Sequence, residues 1–379
     1  MRTINKIFLA TAVSLTASAA IKAQTAKPIN VVTSAVPFLR ISPDARAGGM
    51  GETGLATDPD ANTSFFNLAK TPFTKSNSGV GFTYSPWLRK LGLNDIYLAT
   101  LTGYTKLDEN QAVTGSLRYF NMGSINFTDN LGNDFGSMKS KEFSIDAGYS
   151  RKLSGNLSIA VALRYINSNL ASGKTVGGAT YKAGSAVAGD LSAFYNGQNE
   201  AGQGWNFGAA LTNLGSKIGY TTDATQKDFI PANFGIGGAY TQVFDEDSRM
   251  TLAMDVNKML VPTPPLTGDS IGMAEYRGKG VVGSWFSSFG DAPGGFAEEL
   301  REFQLSGGLE YSYKNQFAVR AGYFHEDKSK GARQYFTLGA GLNYSMMGVN
   351  FSYIIPSGNG INENPLSNTL RFSVLLNFQ

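Results

Sequence analysis

One histidine, His325, and no cysteine stand among 379 residues, which removes most of the equipment of an enzyme or a metal site. A catalytic imidazole needs a nucleophile or carboxylate beside it, and zinc needs three or four nitrogen or sulfur ligands. Two stretches imitate chemical motifs. Gly49-Met-Gly51-Glu-Thr-Gly54 fits the dinucleotide fingerprint, but no βαβ unit surrounds it to put a phosphate on a helix N-terminus. Asp58-Pro-Asp60-Ala-Asn62 opens like a calcium loop. It then offers Thr63 where the turn glycine belongs and Ala69 where the bidentate glutamate belongs. Both read better as turns. The remaining chemistry is charge in unusual places: Arg118, Asp146, Arg164, Asp190, Asp255, Glu310, Arg320 and Arg371 each sit at one parity of an alternating segment.

Those segments are strands. Leu157, Ile159, Val161, Leu163 and Tyr165 alternate with Ser158, Ala160, Ala162, Arg164 and Ile166. Leu305 to Tyr313 and Phe336 to Tyr344 repeat the pattern. Period 2 with one apolar face marks a strand that buries that face. The opposite parity carries Gly, Ser, Asn and charge, as a polar lumen would, and aromatics gather at strand ends as an interfacial girdle does. Fourteen strands are expected, near 79–85, 95–107, 111–128, 139–152, 157–170, 186–195, 204–214, 232–244, 248–258, 303–313, 317–325, 334–344, 349–356 and 368–378. Links after even strands are brief. Those after odd strands are generally longer, culminating in 259–302. Short turns at one end and long loops at the other belong to outer-membrane barrels, and an even count implies that both termini are periplasmic. The last strand, Leu370 to Phe378, ends on an aromatic as barrel-insertion signals do, with Gln379 beyond it.

The N-terminus fits export. Arg2 and Lys6 precede the apolar run 7–15, and small residues follow to Ala23. That is the plan of a cleavable signal peptide, too short to span a bilayer as a helix, which takes roughly 20 residues. Cleavage after Ala23 removes three basic residues and leaves 29 basic against 29 acidic. A near-neutral mature chain is no nucleic-acid binder. The organisation expected is therefore 1–23 signal peptide, 24–78 N-terminal plug or hatch, and 79–379 transmembrane β-barrel.

A fourteen-stranded barrel is too wide for its own side chains to fill, so 24–78 is the expected plug. Phe38, Leu39, Ile41, Leu55, Phe65, Phe66 and Leu68 are too much apolar surface to leave in water. Arg40, Asp44, Arg46, Asp58 and Asp60 are expected to pair with lumen charges, chiefly Arg118, Arg164, Glu310 and Arg320. Trp285, Phe286, Phe289 and Phe296 fall in the longest loop. An aromatic on an outer loop has no lipid to face, so these are expected to contact a partner, or else to form a lid over the lumen mouth. Trp87, Leu88 and Arg89 would extend the same patch.

Ala45-Arg-Ala-Gly-Gly-Met-Gly-Glu-Thr-Gly54, Asp58-Pro-Asp-Ala61 and Phe66-Asn-Leu-Ala69 resemble the start of FadL-type barrels. Leu68 stands where those usually have proline. Phe38-Leu-Arg-Ile-Ser-Pro-Asp44, Ser85-Pro-Trp-Leu-Arg-Lys90, 287–296 and Glu298-Glu-Leu-Arg-Glu302 are closer still to the PorV (LptO) family of type IX secretion barrels. The resemblance runs from about residue 30 to the C-terminus. It implies an all-β membrane protein, a fourteen-stranded antiparallel barrel with an N-terminal plug. It also implies a role in secretion, in which the barrel accepts the C-terminal signal domains of exported cargo at an SprA-like translocon and passes them to a PorU-like sortase. Outer-membrane lipid is the remaining partner, and no cofactor is implied. The rival reading is a FadL-like transporter of hydrophobic compounds, which needs a continuous apolar pocket. A lipid-hydrolysing barrel would have to lean on His325 alone, so no enzyme is expected.

Overall fold

The computed structural model describes residues 30–379, apart from 90–91, 129–131, 133, 177–178, 224, 266–267, 356–365 and 367–368. The expected signal peptide lies outside the described residues. Fourteen antiparallel strands close into one barrel. They are β1 Ser78–Pro86, β2 Ile96–Lys106, β3 Gln111–Thr128, β4 Asp134–Lys152, β5 Leu157–Asn169, β6 Gly184–Gln198 and β7 Gly204–Gly215, then β8 Asn233–Val243, β9 Ser248–Met259, β10 Gln304–Tyr313, β11 Phe317–His325, β12 Gln334–Tyr344, β13 Met347–Ile354 and β14 Leu370–Phe378. Each pairs with its sequence neighbours. Closure comes from β1 on β14, in register from Ser78↔Phe378 to Tyr84↔Phe372.

The burial pattern is inside out relative to a soluble sheet. On β5, Leu163 is 71% exposed while Arg164 beside it is 3% exposed. Leu157, Ile159, Val161, Leu163 and Tyr165 face outward, and the polar or small parity faces the lumen. Only lipid makes that alternation favourable, because an outward charge at mid-membrane costs about 2–4 kcal/mol. Two aromatic belts bound the outward band. At the long-loop end Tyr84, Tyr97 and Tyr119 touch in succession, as do Phe143 with Tyr165 and Tyr323 with Phe336. At the short-turn end Trp205 packs on Tyr240.

The turns explain most boundary differences. Lys314 and Asn315 both hold positive φ near 55°, the backbone of a two-residue turn whose twist matches the flanking strands. Ser345, at φ 52°, starts an equally tight hairpin, so β13 runs Met347–Ile354 and not 349–356. β6 continues to Gln198, shortening the expected link. β4 begins at Asp134 instead of 139, because β3 and β4 extend as a ribbon beyond the rim, bulged between Asn121 and Ser124. The β3–β4 link is accordingly short although it follows an odd strand. The expected loop 259–302 holds three helices: α2 Ser270–Gly278, α3 Val281–Ser287 and α4 Phe296–Glu299. A fourth, α1, spans Ala45–Gly49 inside the barrel.

Residues 30–77 thread the lumen from end to end. Asn30 donates to the Pro264 carbonyl at the long-loop end. The 3-10 turn Leu68–Phe73 packs on Ala160, Ala162 and Phe194 at the other end. An even strand count places the start of β1 and the end of β14 together, but says nothing about the segment before β1. Asn30, the first described residue, lies at the end opposite Phe378.

Candidate functional site: the filled lumen and its rim

The centre of the lumen is an ion network between the N-terminal segment and the wall. Asp44 opens α1 by accepting from the Arg46 and Ala47 amides, satisfying donors that a helix start leaves free. The Asn62 amide fixes the same carboxylate at 2.9 Å. The helix then presents Arg46, whose Nε and Nη2 grip Glu310 on β10 at 3.0 and 2.8 Å. Such a two-point fork carries orientation as well as charge. Nη1 of Arg46 reaches back to the Asp58 carbonyl and the Asp60 carboxylate. Glu310 also accepts from Arg320 at 2.6 Å, and Arg320 continues to Asn350. Among the plug and lumen residues expected from sequence, the structure joins Arg46, Asp60, Glu310 and Arg320 directly.

The others are placed differently. Arg40 approaches Glu326, beyond β11, at 3.8 Å, and Arg333 holds that glutamate at 2.7 Å. Asp58 accepts from Gln198 and Asn206 and meets no wall cation. Arg118 donates to the Leu39 carbonyl and lies 4.7 Å over the Phe65 ring, so a carbonyl and a ring serve where a carboxylate was expected. Among the described residues, the polar partners of Arg164 lie in the wall and not in the N-terminal segment: it pairs with Asp146 and Asp190 and donates to Asn213. The sequence could not separate these cases, since strand parity tells which side chains point inward but not what fills the space before them.

Four contacts were not anticipated. Glu52 takes Arg371 at 2.8 Å and the Tyr335 hydroxyl at 3.2 Å. Asp255 accepts from the Gly54 and Leu55 amides. The Asn67 amide spans the Leu55 and Ala193 carbonyls. Lys70, buried, donates to the Gly54 and Thr57 carbonyls. The signal for these lay in the polar residues interleaved through 52–70. The glycines there have a mechanical role, not a phosphate-binding one. A side chain on Gly49 would stand 2.9 Å from the Gly339 Cα, and Gly51 has φ +65° against the backbone of Gly307 and Tyr323. The backbone reaches the wall only because these positions lack a Cβ.

Above this network lies a cavity of about 580 Å³, open between Phe38, Phe65, Phe66, Trp87, Phe120 and Tyr335 and bordered by Arg118, Arg333 and Arg371. Trp87 packs beside Phe38, Leu39 and Phe120, and Phe38 stacks on Phe120 at 6.4 Å. This corrects the expectation that Trp87 extends an exposed patch. Its side chain closes the apolar mouth of the lumen, with Leu88 half-buried and Arg89 exposed beyond it. Nor do the two aromatic loops adjoin. Around the closed barrel, the β1–β2 and β9–β10 connections are separated by β3–β8 one way and β11–β14 the other. Trp285 is half-buried, whereas Phe286, Phe289 and Phe296 are exposed. The Phe289 ring rests on Phe234 at 6.1 Å. Phe234 shares the outward parity of β8 with the exposed Ile236, so Phe289 is not part of a lid over the lumen. His325 ends β11 beside the Tyr323 ring, as one more member of the aromatic rim.

A closed fourteen-stranded barrel, apolar outside and filled by its own N-terminal segment, defines an outer-membrane protein of the FadL-like architecture. The profile described as "Type IX secretion system protein PorV" matches residues 23–266. The chain belongs to the PorV family. In overall form it is similar to the P. putida toluene transporter TodX, with a TM-score of 0.54 and 12% identity, covering 88% of this chain and 98% of that one. The Ralstonia pickettii toluene transporter TbuX gives 0.51 and 10%, covering 89% and 98%. The monoaromatic hydrocarbon channel CymD gives 0.50 and 12%, covering 88% and 97%. At such identities these neighbours establish the fold alone. None of the curated proteins matches.

Proposed function

We propose that the protein is a carrier of the type IX secretion pathway, binding the C-terminal signal domains of exported cargo at an SprA-like translocon and handing them to a PorU-like sortase, without covalent chemistry of its own. Membership of the PorV family carries this reading. The filled lumen agrees with it: a protein whose bore is occupied by bonded charges serves partners at its rim. Arg89 and Phe296, both exposed at the long-loop end, and the half-buried Trp285 are the candidate contacts. Tagged protein purified in mild detergent is expected to bring down a large translocon or sortase with cargo attached. Purification with bound fatty acid and no envelope protein would overturn the reading.

That second outcome would favour transport of hydrophobic compounds, and one observation speaks for it: the cavity among Phe38, Trp87 and Phe120. Against it, Arg46, Glu310 and Arg320 occupy the route onward, where a diffusing hydrocarbon would need an apolar path.

The proposal requires the long loops to face outward. Because the chain has no cysteine, single introduced thiols report cleanly. Ser172→Cys, exposed between β5 and β6, is expected to react with an impermeant maleimide on intact cells. Asn156→Cys, exposed in the β4–β5 turn, should react only after lysis. The reverse pattern would invert the barrel.

A further inference from the structure

The connection from β9 to β10 first packs α2 over the N-terminal segment, with Tyr276 against Val32 and Phe229, and its later part then lies against the outer flank of the barrel. Its anchor is Lys258, the last outward residue of β9 and cross-strand partner of Phe234. Lys258 is 0% exposed. Its ammonium meets Glu299 and Glu302, each at 2.6 Å, and lies 5.7 Å from the Phe289 ring and 5.5 Å from the Phe303 ring. A lysine on the outward parity at the membrane edge would ordinarily reach for water. Here the loop covers it with two carboxylates and two rings. Glu298 and Glu302 extend the clamp sideways to Lys330 after β11, at 2.7 and 3.0 Å. The connection is therefore held against β8, β9 and β10, with its Phe289 on the outward Phe234.

Clamped in this way, α3 shows reversed polarity. Ser284 and Ser288 are buried, their hydroxyls returned to the Gly280 and Trp285 carbonyls of their own helix. Val282 and Phe286, four residues apart and hence on one face of α3, are 59% and 75% exposed, and Phe289, just past its end, is 45% exposed. Serines inward and phenylalanines outward suit a helix whose outer medium is apolar. Along β1–β5 and over β11–β12, the strands supply their own belt at the long-loop rim from Tyr84, Tyr97, Tyr119, Phe143, Tyr165, Tyr323 and Phe336. Over β8 to β10 that place is taken by Phe234, which Phe289 of the loop covers, and by the half-buried Phe303 beside Lys258.

We infer that α3 is an interfacial membrane bracket: Val282, Phe286 and Phe289 insert among the lipids at the long-loop rim and replace the aromatic belt that β8–β10 lack. The occupant is lipid because this face continues the lipid-facing band of the same strands, where Ile236, Leu252 and Met254 are exposed. The inference rests on the membrane barrel and not on the carrier role, so the two fail separately. It also replaces the premise that an outer-loop aromatic has no lipid to face.

The test is nitroxide accessibility in vesicles of phosphatidylethanolamine and phosphatidylglycerol. Labels are placed at Val282→Cys and Phe286→Cys, with Leu252→Cys as the lipid reference and Glu275→Cys, exposed on α2, as the water reference. Heat-modifiable mobility on gels confirms each barrel. Collision with oxygen relative to an aqueous nickel chelate is expected to be several-fold higher at 282 and 286 than at 275, approaching 252. A label at both positions as open to nickel as at 275 overturns the bracket. Shielding that appears only on adding envelope extract would also overturn it, by placing a protein on this face.

Discussion

Deleting Phe38–Asp60 is expected to turn a sealed barrel into a conducting one. In planar bilayers the parent protein should pass almost no ion current, and the deletion should show open, stepwise conductance, with cells becoming sensitive to bulky antibiotics. The strand ladder does not depend on the deleted residues, since its backbone pairing runs between neighbouring strands and closure is β1 on β14. What is lost is the fill. α1 packs against β12, β13 and β14, Arg46 crosses to Glu310, and Glu52 crosses to Arg371. The freed wall charges need not prevent insertion, because water enters the space the segment leaves. An unpaired charge in a dry interior costs several kcal/mol, roughly, whereas a hydrated lumen charge is ordinary in a porin. Heat-modifiable mobility separates an open barrel from a misfolded one. A correctly folded deletion variant that still passes no current would mean that the described loops, not residues 38–60, seal the bore.

How much of this was legible beforehand differs by level, for a physical reason at each. Strand existence was legible because lipid enforces a strict alternation: Leu163 out and Arg164 in leaves one parity open. Strand ends were less legible, because turns such as Lys314-Asn315 depend on backbone φ that the residue types only suggest. β4 starts early since a ribbon beyond the rim carries no hydrophobic signature to read. Inward charges were identifiable from parity, yet their pairing was not: Arg46 found Glu310 while Arg164 found Asp146 and Asp190 in the wall. Pairing depends on where a non-repetitive segment lies in three dimensions, and no periodicity encodes that. The β9–β10 connection shows the same limit: loop identity does not say which surface its aromatics meet, and Lys258 with Glu299 and Glu302 holds the end of the loop against the outer wall.

The pairing of Arg46 with Glu310 should set how firmly the segment is seated. Glu310 sits between two guanidiniums, Arg46 at 2.8 Å and Arg320 at 2.6 Å. Arg46→Met leaves Glu310 paired with Arg320 but takes the donor from Asp60 and from the Asp58 carbonyl. Breaking such a buried pair costs about 3–5 kcal/mol. Hydrogen exchange at the Gly48 and Met50 amides, which close α1 through the Asp44 and Ala47 carbonyls, should then quicken roughly a hundredfold or more. Exchange in β10 should not change, because its ladder partners are untouched. Glu310→Met is expected to do at least as much harm, since it takes the carboxylate from two buried cations at once, leaving Arg46 only Asp60 and the Asp58 carbonyl. The double variant Arg46→Met/Glu310→Met is expected to lose less than the sum of the single losses, because residues in one network couple by about 0.5–3 kcal/mol. Of the two cations on Glu310 only Arg320 then remains, and Asn350 already accepts from it at 2.9 Å. Strict additivity, with α1 exchange no slower than the two singles imply, would mean that the fork is incidental. The glycine-lined fit of residues 48–51 against Gly339 and Tyr323 would then be what holds the segment in the bore.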